Sequence, residues 1–489
     1  MRQLSDKEIE IRLRLDNPWW QAGQGIDADY QEFPRRAYLP DFSRLVKEMG
    51  VNRAVVLLGP RRVGKTIMVY HAIQWLMDEA GISGRDILYL SLETPIYSGL
   101  VLEALVRRFQ GMFGRLGRTP LYVFFDEIQY LKGWEIHLKS LVDTFRDIQF
   151  VATGSAAAAL KAKSVESGAG RFTEFQLPPL TFAEYLRFVE REDDLIVERG
   201  EVGEPGRFST HDILGLNEEF IRYLNFGGFP EAVFSERIQA NPRRYIKSDI
   251  IDKVLMRDLP ILYGISDIQE LNSLFNTLAY NTGMEVSLAG LAQTSHVAKN
   301  TLIRYVEYLE AAFLIKRVRR IDADARHFKR MRTFKLYLMN PTMRAALFGP
   351  IAEHDEAMGP LAETAVFSQW LHNSSYIQSL HYARWDRGEV DLVSLEPGTQ
   401  RPRFAIEVKW SDRVVEDSRL LRQLAAFAKR HTLSRTPLAT TCSYTGRIQV
   451  DDVEIELTPT ALHCYTVARN TLERQRCPVP GNRGHPRPS

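Results

Sequence analysis

Gly59-Pro60-Arg61-Arg62-Val63-Gly64-Lys65-Thr66 fits the pattern G-x-x-x-x-G-K-[ST]. Residues of these types at this spacing do one kind of chemistry. Loop amides surround phosphates, Lys65 reaches the terminal ones, and the Thr66 hydroxyl ligates Mg²⁺. The octapeptide predicts a nucleoside triphosphate site with ATP and Mg²⁺ as cofactors. Further on, the apolar run Leu121-Tyr122-Val123-Phe124-Phe125 ends in Asp126-Glu127, the form of a Walker B element. Adjacent carboxylates there divide the work: Asp126 joins the Mg²⁺ shell and Glu127 orients and deprotonates the attacking water. Thr153 and Ser155 close another apolar run, where they either read the γ-phosphate or cap a helix. Arg171, in a glycine-containing loop, either stabilises transition-state charge, within the chain or across a subunit boundary, or is a solvated loop arginine.

A second constellation lies late in the chain. Asp391, a gap of 15 residues, then Glu407-Val408-Lys409 place two carboxylates near a lysine. Period-two alternation puts Glu407 and Lys409 on one strand face and Phe404, Ile406, Val408 and Trp410 on the other. Such a set suits metal-dependent phosphodiester hydrolysis, with Asp391 and Glu407 binding Mg²⁺, Lys409 positioning or deprotonating water, and Glu363 completing the acidic cluster from an upstream helix. Alternating charges on an exposed strand are the plainer alternative. A third set points to DNA: Val286–Ala292, a Thr294-Ser295-His296 turn and a helical pattern from Lys299 read as helix-turn-helix, with Lys299, Asn300, Thr301 and Arg304 at the start of the second helix. Residues 316–335 then hold nine Lys/Arg, among them Arg317, Arg319, Arg320 and Lys335, against Asp322 and Asp324. That excess fits a wing on a phosphate backbone, or else a protein contact or a solvated hairpin.

These residues need elements to hold them. Val55–Leu58 reads as a buried parallel strand and Ile67–Leu76 as the helix after the loop. Asp86–Leu92 and Phe150–Ser155 add strands, so the alternation predicts an α/β fold with a parallel sheet covered by helices on both faces. A length of 489 residues implies roughly two to four domains. Net charge is +2, so a nucleic-acid surface must come from local clustering. Cys442, Cys464 and Cys477 form no C-x-x-C pair, which points to a reducing cytoplasm without disulfide framework or zinc site. Met1–Leu15 lacks the apolar stretch of a signal peptide, and no apolar run approaches the roughly 20 residues that span a bilayer.

Taken in order, Gly59–Thr66, Asp126-Glu127-Ile128-Gln129, Thr153-Gly154-Ser155, Gly170-Arg171, Leu177–Tyr185 and Gly227-Gly228-Phe229-Pro230-Glu231 resemble prokaryotic AAA-type ATPases with a C-terminal domain of unknown function. The resemblance covers roughly residues 35–430, although Asn340 stands where that family tends to have Asp. It implies a P-loop ATPase core (51–188), a helical connector or lid (189–265), a winged helix (266–345) and a restriction-endonuclease-like α/β domain (355–470); an N-terminal segment (1–50) precedes these, and the Pro- and Gly-rich end reads as a disordered tail (471–489). The resemblance does not imply a substrate.

The leading expectation is a cytoplasmic ATPase that couples ATP hydrolysis to engaging DNA and to cleaving it where the nuclease-like site is competent, in defence or mobile-element biology. The alternative is an ATP-dependent switch that controls protein or DNA assembly, its nuclease-like module being non-catalytic. A homo-oligomer or a protein partner stays open in both.

Overall fold

Val55, Val56, Leu57 and Leu58 carry no polar side-chain atom, and the strand they form, β1 (Ala54–Leu58), is buried throughout. Continuous apolar runs of this kind mark a parallel sheet covered on both faces. The computed structural model describes residues 5–476 except 98, 116–119, 156–169, 202–205, 327–332 and 387. The chain divides into two compact units. The first comprises Met1–Pro179, Asp249–Ile268 and Ala311–Leu314.

In the first unit β1 is joined by β2 (Ile87–Ser91), β3 (Leu121–Asp126), β4 (Ile148–Gly154) and β5 (Phe172–Gln176), all parallel, in the order β2-β3-β4-β1-β5. All five strands therefore end on the same side, where open α/β sheets gather their ligands. The edge strand β2 is covered by the N-terminal segment. Asn17 brackets the Tyr89 backbone, accepting from its N–H at 2.6 Å and donating to its carbonyl at 3.0 Å, while Trp19 and Trp20 both donate to the Ile87 carbonyl. Polar groups of an otherwise open edge are thereby satisfied.

The second unit comprises Leu180–Ser248, Gln269–Glu310 and Ile315–Ser489. A small ribbon pairs β6 (Val197–Glu198) with β7 (Phe208–Ser209). The main sheet has nine strands among the described residues: β8 (Glu285–Ser287), β9 (Ile315–Ile321), β10 (Thr333–Leu338), β11 (Leu380–Trp385), β12 (Gly388–Leu395), β13 (Pro402–Glu407), β14 (Leu438–Thr441), β15 (Gly446–Val450) and β16 (Val453–Pro459). Their order is β15-β16-β14-β13-β12-β11-β9-β10-β8.

The expected wing, 316–335, falls on β9, β10 and the turn between them, of which 327–332 lie outside the described residues. Strand β9 pairs antiparallel with β10 and parallel with β11, so neither edge projects from the fold. Its apolar residues explain why: Val318 enters one core cluster and Ile321 the other. The sheet also continues across the expected break between 345 and 355. By contacts the leading segment of the first unit stops at Pro179, short of the expected 188, and Phe182, Tyr185, Leu186 and Phe188 pack with Phe220 and Tyr223 of the second. Residues 189–265 divide between the units rather than forming one connector. The final helix runs Thr460–Arg476 with Leu472 buried, so 471–476 is no tail; Cys477 and the rest of the expected tail lie outside the described residues. Among the described residues no helix is long and apolar enough to cross a membrane.

Candidate functional site

The phosphate loop leaves the carboxyl end of β1 and enters the helix Lys65–Asp78. Gly59 admits no side chain: a Cβ there would lie 2.3 Å from the Leu177 carbonyl oxygen. Gly64 has φ of 90°, in the left-handed region that glycine takes without strain, and caps the helix. Lys65 is buried and donates to the carbonyls of Gly59 at 3.2 Å and Pro60 at 2.8 Å. Burial lowers its pKa, and the charges of Glu127 and Asp126 oppose that shift.

Strand β4 lies between β1 and β3, so the ends of all three meet. The Thr66 hydroxyl donates to Asp126 Oδ2 at 2.8 Å, Tyr89 donates to the same oxygen at 3.0 Å, and the Thr153 hydroxyl donates to Oδ1. Burial, then the neighbouring Glu127 charge, raise the Asp126 pKa, while the three hydroxyls pull it down. Glu127 adopts φ of 56°, its N–H donates to Thr153 Oγ1 at 3.0 Å, and Gln129 donates to its carboxylate. Ser155 N–H donates to Gln129 Oε1 at 3.2 Å; the buried Ser155 hydroxyl has no partner among the described residues. A hydroxyl and a carboxylate in contact beside a buried lysine fit a Mg²⁺-nucleotide, which Thr66, Asp126 and Lys65 would hold.

Arg61 and Arg62 lie in the loop as expected, but their side chains turn to acids. Arg61 makes a two-pronged pair with Asp258, both bonds 3.1 Å, and Arg62 meets Asp249 at 3.1 Å. The segments Arg243–Asp252 and Val254–Asp258 are π-helical. Nine positions make roughly two turns at about 4.4 residues per π turn, so this winding brings Asp249 and Asp258 to one face, where α winding would oppose them. Sequence reasoning missed this, as it missed Tyr89, Gln129 and Arg36, whose buried guanidinium donates to the carbonyls of Val63 at 2.7 Å and Pro178 at 3.0 Å. Only Gln129, inside a quoted motif, carried a signal.

Arg171 requires a correction. Its carbonyl accepts from Ala54 N–H at the start of β1, and it precedes β5, parallel to β1. The phosphate loop is at the other end, roughly 17 Å away for five residues of strand. The guanidinium pairs with Asp143 at 2.5 Å. That position weighs against action within the chain.

The family described as an AAA domain matches residues 51–186. The chain carries an AAA-type ATPase domain. A domain of unknown function matches residues 217–353 of the same chain. Uncharacterised proteins are similar to it over most of their length: one from Haemophilus influenzae is 24% identical over 69% of this chain and 78% of its own, and one from Methanocaldococcus jannaschii is 25% identical over 72% and 75%. Among solved structures, the Aeropyrum pernix ORC2 protein in ADPNP-ADP complexes aligns with a TM-score of 0.35 at 14% identity, covering 61% of this chain and 90% of that one. C. elegans PCH-2 aligns with a TM-score of 0.27 at 16% identity over 47% and 68%.

In the second unit, Glu363 from the helix Met358–Trp370, Asp391 from β12, Glu407 at the end of β13 and Lys409 just past it come together. Lys409 Nζ donates to Glu407 Oε1 at 2.7 Å, and the Val408 N–H donates to Asp391 Oδ2 at 3.0 Å. At the centre is Lys335, which the charge count assigns to the wing. Its ammonium lies 2.7 Å from Glu389, 2.8 Å from Glu363 and 3.0 Å from Asp391. Tyr337 donates to the same Glu363 oxygen at 2.5 Å. Burial and then the Asp391 charge push Glu363 up to about 7 and Glu407 up to about 8. Burial would raise Asp391 as well, but Lys335 and Lys409 hold it below its ordinary value. Where Mg²⁺ is expected at Glu363, Asp391 and Glu407, hydrogen bonds from Tyr337, the Val408 N–H and Lys409 meet the carboxylates. A lysine stands among the carboxylates, and among the described residues no group of three or more His, Cys, Asp or Glu is arranged to hold a metal ion.

The DNA candidates separate into two groups. Lys299 and Arg304 are exposed on the helix Lys299–Ala311, which follows the helix Leu288–Ser295 after a turn at His296. On β9, Arg317 pairs with Glu310 at 2.8 Å and Arg320 donates to the Arg384 carbonyl at 3.1 Å, leaving Arg319 the exposed arginine of that strand. Asn340, buried, accepts from Thr342 N–H at 2.9 Å and donates to the Tyr223 hydroxyl at 3.2 Å, which is a structural role.

Proposed function

We propose that the protein is an ATP-hydrolysing enzyme whose second unit engages DNA. The observation that carries the first half is the Thr66–Asp126 contact at the end of a buried strand with Glu127 next to it. Bound Mg²⁺ would supply charge neutralisation at the terminal phosphates. Glu127 accepts a proton from the attacking water as the water oxygen bonds to the terminal phosphorus and the bond to the bridging oxygen breaks. The buried Ser155 hydroxyl, without a partner among the described residues, supports a role in reading the terminal phosphate. Arg171 retains a role only across a subunit boundary. DNA contact is supported by exposed Lys299 and Arg304 at the start of the second helix of a helix-turn-helix segment.

A second reading makes the protein an ATP-dependent switch whose nuclease-like module binds without cutting. Lys335 among the carboxylates favours it over Mg²⁺-dependent cleavage by Asp391, Glu407 and Lys409. The deciding experiment is DNA cleavage by wild type and Asp391→Ala with Mg²⁺ or Mn²⁺, with and without ATP, beside DNA stimulation of ATPase. Cleavage lost in the variant supports a nuclease. DNA-stimulated ATPase without cleavage supports the switch, and an ATPase indifferent to DNA with no DNA binding refutes both DNA readings.

A further inference from the structure

Lysine carries three ammonium protons, and a buried one must spend all three. Lys335 is 4% exposed and has a carboxylate within 3.0 Å for each: Glu363, Glu389 and Asp391. These acids come from a helix and one strand, and the lysine from another strand, β10. Strand β10 is hydrogen-bonded on both sides, to β8 and β9, with Lys335 opposite Glu285 and Val318. Its backbone is therefore fixed where the side chain reaches the acids.

Most of the carboxylate oxygens are already in use. Glu363 Oε1 accepts from both Lys335 and Tyr337. Asp391 gives one oxygen to Lys335 and the other to Val408 N–H. Glu389 meets Lys335 with one oxygen and Arg384, at 3.4 Å, with the other. Glu407 gives Oε1 to Lys409, and its buried Oε2 has no partner among the described residues. A divalent ion needs several oxygens at once and would have to take them from these donors.

We infer that Lys335 is the resident cation of this cluster, filling the place a divalent ion would otherwise take. The inference rests on the second reading above and deepens it: the charge that organises Glu363, Glu389 and Asp391 is supplied by the protein's own ammonium. It follows that the cluster is closed to Mg²⁺ and Mn²⁺ while Lys335 is present and open to them once that charge is removed.

Mn²⁺ titration of the full chain without nucleotide, followed by the electron paramagnetic resonance signal of the free ion, tests this in wild type, Asp391→Asn, Lys335→Arg, Lys335→Met and Lys335→Met/Asp391→Asn. Wild type and Lys335→Arg should show no Mn²⁺ binding that depends on Asp391. Lys335→Met should gain it, with apparent affinity up by roughly tenfold or more, and the double variant should lose it. Mn²⁺ binding by wild type that Asp391→Asn removes overturns the inference. So does a folded Lys335→Met chain that gains none. Should Lys335→Met fail to fold, the comparison of wild type with Asp391→Asn still decides. DNA is absent from this assay, so failure of the DNA readings leaves its outcome unchanged.

Discussion

Asp126 accepts hydrogen bonds from Thr66, Tyr89 and Thr153, each on a different element. Two of those partners were legible as candidates because they lie in or beside motifs. Tyr89 was not, since nothing within a single strand says which neighbour's acid its hydroxyl will meet. Removing that hydroxyl in Tyr89→Phe should raise the Mg²⁺ concentration needed for half-maximal ATPase by roughly tenfold, the scale of one bond to a charged group, with little change in KM for ATP. Glu127→Gln should keep nucleotide binding and lose turnover by roughly 10²-fold or more; normal hydrolysis by that variant would remove Glu127 from the water-activating role. Lys335 teaches the converse. Counted along the sequence it belongs to a basic run, whereas its partners are 28, 54 and 56 positions away. Charge summed over a segment cannot see pairing across strands.

At the scale of elements, β9 carries four basic residues but two neighbours bury it in the sheet. Replacing Arg317, Arg319 and Arg320 together should therefore weaken DNA binding less than replacing Lys299 and Arg304, and the salt dependence of binding should flatten mainly in the helix variant. Equal losses in a salt titration would return the strand to the DNA surface. The helices Leu288–Ser295 and Lys299–Ala311 were readable because their apolar spacing is local. The merging of β9 with β11 was not, because parallel partners separated by a helix and long connections leave no period in the sequence. The π-helical stretch was equally silent. Asp258→Asn should release Arg61 from its two-pronged pair, lowering the melting temperature of the first unit and shifting ATP affinity, both readable by a nucleotide-dependent melt.

Across the whole molecule, the two units should answer different stimuli. Saturating Mg²⁺-ATP should raise the first unit's melting transition, by about 2.7 kcal/mol of stability at a hundredfold excess over Kd. The second unit should respond to pH. Glu363 and Glu407 have folded values of about 7 and about 8 against an ordinary 4.5, so the fold holds their protons more tightly than the unfolded chain. Their stabilising contribution is complete below about pH 4.5 and is lost as pH rises through 7 and 8. Asp391, shifted the other way, contributes stability above its ordinary pKa and loses that contribution only in acid. The second melting temperature should fall between pH 6 and 9, and Glu407→Gln should flatten that fall.

The last helix, Thr460–Arg476, closes a core begun nearly three hundred residues earlier: Tyr465 packs edge-on against Phe208 at 5.1 Å, and Glu473 receives Arg207 at 2.6 Å. A ribosome adding roughly 5–20 residues each second spends about 10–50 s between those partners. For that interval the nascent second unit shows the apolar surface that this helix will cover, while the five strands of the first sheet have already been made. Synthesis, more than the finished fold, is thus the stage at which this chain most needs a chaperone, and a stop codon before residue 460 should leave a nucleotide-binding fragment attached to an aggregating one.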